Sequence, residues 1–156
     1  MSKISDKFLS DFSEQEEKHN KTLKENEEKR KKADDEKNRF NTDFEKIFRK
    51  EIKPKLDELK SSLISKDLFL DYTSIKRTQS DAISFEINLS KKSYPSIKIV
   101  VSANSTFKRI DFNQSSASAT YEAKKKQDFN LLWQDFSIDE FEKIIFEILR
   151  FYYLSE

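Results

Sequence analysis

Residues 13–39, SEQEEKHNKTLKENEEKRKKADDEKNR, hold only two apolar side chains, Leu23 and Ala33. A segment with so little to bury cannot close over a core of its own, because apolar burial is the main force offsetting the entropy lost on ordering a chain. It also lacks Pro and Gly, and acid-before-base pairs at four-residue spacing recur along it: Glu14–Lys18, Glu17–Lys21, Glu25–Lys29, Glu27–Lys31, Glu28–Lys32 and Asp35–Arg39. Each such pair adds about 0.2–0.5 kcal/mol to a helix. A helix running unbroken from Ser13 to Lys53 would extend roughly 60 Å at about 1.5 Å per residue.

Three states satisfy this composition: a solvated single helix, a charged tether without fixed structure, and a helix paired in a coiled coil or hairpin. Spacing bears on the third. Alternating steps of three and four residues, with Leu9 at a and Phe12 at d, lead through Glu16, His19, Leu23, Asn26, Arg30, Ala33 and Lys37 to Phe40, Phe44 and Ile47. The ladder is apolar at both ends and polar in the middle, and Asn26 is the kind of seam residue that sets register at a cost in stability. The residues expected to bind a partner are therefore Leu9, Phe12, Leu23, Phe40, Phe44 and Ile47.

Beyond this segment the composition changes. Twelve of the fourteen Phe lie at Phe40 or later, which gives the remaining chain enough apolar volume for one small core. Phe40, Phe44, Ile47, Phe48, Ile52, Leu56, Leu59 and Leu63 follow helical spacing, with Pro54 inside the run and a kink or break expected there. Four strand patterns follow at 68–77, 81–90, 96–103 and 106–113, with a fifth at 117–123. The clearest is DAISFEINLS, where Ile83, Phe85, Ile87 and Leu89 alternate with polar residues. Lys91-Lys92, Asn104-Ser105 and Ser115-Ser116 stand where turns are needed, since the chain has no Gly. SIDE, residues 137–140, is a capping box opening a helix whose stripe is Phe141, Ile144, Ile145, Ile148, Leu149 and Tyr152. Phe146 and Tyr153 fall off that stripe, so the long helix folding back over them, or a partner, is expected to cover them.

The expected fold is α+β: a long charged N-terminal helix, residues 1–39, leading into a domain, residues 40–156. That domain comprises a helix, a four- to five-stranded antiparallel meander and a C-terminal helix packed on one face of the sheet.

Much chemistry is excluded by residue type. With no Cys there is no disulfide, thiolate zinc site or cysteine nucleophile. With no Gly there is no phosphate-cradling glycine loop. The one histidine, His19, sits in the charged segment without a second histidine to share a metal or a triad. Asp71, Asp81, Glu86 and Asp111 fall in or beside strands, but Glu86 is followed by Ile87-Asn88, which misses the Glu-x-Lys pattern of common metal-dependent nucleases. No apolar run reaches membrane-spanning length, and the first residues lack the apolar core of a signal peptide, so a cytoplasmic protein is expected.

The net charge of +1 hides a gradient. Residues 67–126 carry ten basic and six acidic side chains, whereas residues 127–156 carry two and seven. The reading is a non-enzymatic interaction protein, a scaffold or accessory subunit without cofactor, metal or membrane. It would pair with itself as a homodimer, or with a protein partner, through its N-terminal helix. A second reading is a nucleic-acid-binding accessory protein using Lys91, Lys92, Lys124, Lys125 and Lys126 beside Tyr94, Phe107 and Tyr121. A third is a small inhibitor or immunity-type protein acting through its acidic C-terminal segment.

Overall fold

The computed structural model describes residues 3–77, 82–116 and 128–154. The chain divides into two compact units, Met1–Asn38 and Arg39–Glu156. Helix α1 covers Lys3–Ile47, and its residues up to Glu36 are exposed throughout. A π turn, Phe48–Ile52, leads into helix α2, Lys53–Leu63, and a short 3-10 turn, Ile64–Lys66. Six strands follow: β1 Leu68–Tyr72, β2 Lys76–Arg77, β3 Ile83–Lys91, β4 Tyr94–Asn104, β5 Arg109–Ser116 and β6 Phe129–Leu132. Helix α3, Ile138–Leu149, and a second π turn, Arg150–Leu154, close the described chain.

The helical run through Pro54 does not break. Its apolar residues step by four, from Phe40 to Phe44, Phe48, Ile52 and Leu56, and all five are buried. In an ideal helix of about 3.6 residues per turn, a four-residue step slips about 40° around the axis, so the stripe would wind off the sheet. The π turn has wider i→i−5 bonds, seen where the Lys53 N–H donates to the Phe48 carbonyl, and this takes up the drift. It also leaves Pro54 in the first turn of α2, where its missing N–H is least costly.

The sheet is antiparallel, in the order β1-β3-β4-β5-β6, with β2 also paired to β3. Between β1 and β2 the Thr73 N–H donates to the Glu86 carbonyl at 2.9 Å and the Glu86 N–H donates to Thr73 Oγ1 at 3.0 Å, which holds both short strands to β3. Register brings Phe85, Val101, Phe112 and Phe129 into one row across four strands. Ile83, Ala103, Ile110 and Leu131 make the next. These rows face the helices, and sheet and helices share one apolar core. The other face carries Ser84, Glu86, Asn88, Lys98, Ser102, Asp111 and Asn113, none of them buried. Alternation at period two thus places one apolar and one polar face on the same strands.

The strand expected at 117–123 lies outside the described residues. Ser115 and Ser116, expected in a turn, instead extend β5 and pair with Lys98 and Ile97. A strand the sequence reading missed is β6, whose Leu131 alone among its four residues is buried. So few residues cannot display an alternating pattern. Turns without Gly are made at some conformational cost: Asp67, Ser93 and Lys108 have φ of 57°, 70° and 49°.

The Ser137 N-cap forms, its Oγ accepting from the Glu140 N–H at 3.1 Å. Tyr153 is covered, and the β3–β4 hairpin meets it: its hydroxyl lies 3.2 Å from the Leu89 carbonyl oxygen and 3.1 Å from that of Pro95, and the Tyr94 ring stands edge-on to it. Phe146 remains partly exposed.

Phe44 touches both Phe85 and Trp133, and the latter is the sole tryptophan of the chain. Phe44→Ala is expected to lower the stability of the Arg39–Glu156 unit by about 3–5 kcal/mol, whereas Phe12→Ala should change it by less than about 0.5 kcal/mol. Urea unfolding followed by Trp133 fluorescence measures both.

Candidate functional site

Within the Met1–Asn38 unit the feature that stands out is apolar surface on an otherwise charged helix. Ile4 is 82% exposed, Phe8 65%, Phe12 55%, and Leu9 and Leu23 50% each. Phe8 and Phe12, four residues apart, stack with ring centroids 6.3 Å apart, the contact expected of i,i+4 neighbours on one helix face. Large apolar side chains grouped in this way make a candidate interaction surface.

The six residues expected to pair have two fates. Leu9, Phe12 and Leu23 stay open. Phe40 and Phe44, at 5% and 0% exposure, belong to the core of the Arg39–Glu156 unit, and Ile47 is partly buried against that core. Phe40 meets Trp133 edge-on at 5.3 Å. A side chain already packed on its own sheet has no surface left for a second chain, so Phe40 and Phe44 are withdrawn from the pairing set. The ladder alone could not reveal this, because pairing with a partner helix and packing on one's own sheet both ask for the same apolar stripe.

Among the described residues the basic side chains fall into two groups. Lys91 lies opposite Leu68 and Tyr94 at one end of the sheet, with its Nζ 5.0 Å from the Tyr94 ring centre, and Lys92 follows in the turn. Lys76, Arg77, Lys108 and Arg109 lie toward the other end, eight to ten residues along β4, or about 26–33 Å at strand rise. There the Arg109 guanidinium carbon stands 4.8 Å from the exposed Phe107 ring, while its Nε donates to Asp111 Oδ1 at 2.7 Å. Arg77 pairs with Glu45 at 3.4 Å. Lys124, Lys125, Lys126 and Tyr121 lie outside the described residues.

The strand carboxylates sit beside cations. Glu86 pairs with Lys98 at 3.2 Å and Asp71 with Lys60 at 3.6 Å, while Asp111 also accepts from the Asn104 amide at 3.1 Å. Asp81 lies outside the described residues. Among the described residues no three His, Cys, Asp or Glu side chains come together as metal ligands would. His19 is exposed on α1. Among the described residues no helix is long and apolar enough to cross a membrane.

Displaced pKa values often flag working sites, but the two found here join structural elements. Burial, then the hydrogen bond to Asp57, pushes the Tyr72 phenol up to about 12. Its hydroxyl donates to Asp57 Oδ1 at 2.5 Å and so ties β1 to α2. The Lys55 ammonium is raised mainly by its hydrogen bond to Glu142, at 2.9 Å, which ties α2 to α3.

Comparison with known proteins finds no matching family, no matching curated protein and no matching solved structure.

The Tyr72 phenol holds its proton more tightly folded than unfolded. Its stabilisation is therefore complete below the unfolded value of 10.0 and lost as pH rises from there through about 12. Tyr72→Phe should flatten the fall in stability over that range and lower stability at neutral pH by about 1 kcal/mol. Denaturant unfolding at a series of pH values would show both.

Proposed function

We propose that the chain is a non-enzymatic assembly protein, joining another chain through helix residues 3–38 and presenting the α+β domain as its fixed module. The observation that carries this reading is the exposure of Phe8, Leu9, Phe12 and Leu23 on a helix that is otherwise charged. Large apolar side chains are exposed in the Arg39–Glu156 unit as well, Phe107 and Leu154 among them, but Ile4, Phe8, Leu9 and Phe12 fall close together on one helix. Exposed apolar groups on a helix lower their free energy by meeting a second helix, and residues at a and d spacing are those that can do so along a common seam.

The separation of Lys91 and Lys92 from the cations at the far end of the sheet lends no support to a single nucleic-acid surface. The α3 surface where an inhibitor-type contact would fall mixes Asp139, Glu142 and Glu147 with Lys143 and Arg150 around Phe146. It carries no feature that selects a target.

Full-length protein and the Phe12→Asp/Leu23→Asp double variant would be compared by light scattering after gel filtration. The wild-type mass is expected to exceed 18.6 kDa increasingly with concentration, and the variant to stay at that value. Association above 18.6 kDa that is the same in the two proteins would overturn the reading, because it would not run through the helix.

A further inference from the structure

We infer that the partner is a second copy of this chain and that the two helices run antiparallel; this rests on the pairing reading just given. With Phe40 and Phe44 held in the core, the seam available on the Met1–Asn38 unit runs through Leu9, Phe12, Glu16, His19, Leu23, Asn26, Arg30, Ala33 and Lys37. Three of these positions are charged.

In a parallel pair each seam residue meets its own copy. Glu16 would face Glu16, Arg30 would face Arg30 and Lys37 would face Lys37, in a strip partly shielded from water where like charges repel most strongly. Parallel pairing therefore sets all three seam charges against their like.

An antiparallel pair sets a positions against d positions. The sequence allows a register in which facing residues have numbers that sum to 42. Leu9 then meets Ala33 of the second copy, Phe12 meets Arg30, Glu16 meets Asn26 and His19 meets Leu23. Each contact occurs twice about the two-fold axis. Every charged seam residue gains a compatible mate: the Arg30 guanidinium lies over the Phe12 ring, a cation–π contact, and the Glu16 carboxylate accepts from the Asn26 amide. Lys37 falls opposite Ser5. The seam holds no like-charge pair. Leu9 and Leu23, each half exposed in the single chain, are covered by Ala33 and by the His19 ring. The complement to each polar seam position is present on the same helix, and that self-complementarity selects a second copy over a foreign helix.

Because the chain has no Cys, Leu9→Cys and Ala33→Cys each introduce a single thiol into the full-length protein. The two variants, alone and mixed, would be treated with a short bis-maleimide. The antiparallel pair puts residue 9 beside residue 33 of its partner and separates the two copies of residue 9 by about 36 Å. Cross-linked dimer is therefore expected in the mixture and nearly absent from either variant alone. Efficient cross-linking of Leu9→Cys to itself would overturn the antiparallel arrangement while leaving helix pairing intact. Association by light scattering with no cross-link in any sample would likewise overturn the 42 register. A wild-type chain that stays at monomer mass at every concentration would overturn the second copy as partner. Both substituted positions are solvent-exposed, and unchanged Trp133 fluorescence would verify that the domain is folded in each variant.

Discussion

Phe44 is the contact on which the domain depends. It comes from the end of the long charged helix, is sealed from water, and packs between Phe85 of β3 and Trp133 just after β6. Through it the first helix, the middle of the sheet and the approach to α3 share one apolar volume. Phe48 extends that contact, lying 4.7 Å from Phe85 and 6.5 Å from Tyr72. The helical stripe can follow the sheet over Phe40 to Leu56 only because the π turn corrects a four-residue repeat that an unbroken α-helix would wind away. Hydrogen bonding in one helical turn is altered to keep several buried rings in place.

The same core limits where this protein can meet others. A stripe of apolar residues on a helix is drawn to whatever apolar surface it reaches first, and a surface in its own chain has the advantage of needing no second molecule. Phe40 and Phe44 find the sheet. Leu9, Phe12 and Leu23 lie in a unit with no core of its own, where exposure is held at half or more. The strongest candidate site is therefore the part of the amphipathic ladder that the fold does not use.

The absence of glycine shapes the rest. Left-handed turn positions fall to Asp67, Ser93 and Lys108. The turn between β4 and β5 is braced by side chains: Asn104 Oδ1 accepts from the Phe107 N–H, and its amide donates to Asp111, which also holds Arg109. Tyrosines and lysines tie the layers from outside, as Tyr72 does to Asp57 and Lys55 does to Glu142. Polar side chains here mainly join structural elements, and the strand carboxylates Asp71, Glu86 and Asp111 are each paired with a cation.

Local pattern was enough for much of this architecture. The alternation of Ile83, Phe85, Ile87 and Leu89, the four-residue steps after Phe40 and the Ser137–Glu140 cap each determine an element through contacts a few residues long, so the α+β class was legible from the chain itself. The scarcity of apolar side chains in residues 13–39 likewise determined that this helix could contribute no core. Tertiary structure alone decided which half of the Leu9-to-Ile47 ladder was buried, that Tyr153 would hydrogen-bond beneath the β3–β4 hairpin, that β6 would join the sheet, and that Lys91 and Arg109 would lie at opposite ends of it. These outcomes depend on register and on competition between distant surfaces. A linear spacing is the same whether its apolar face meets a partner helix or its own sheet; only the arrangement in space shows which surface was there to be covered.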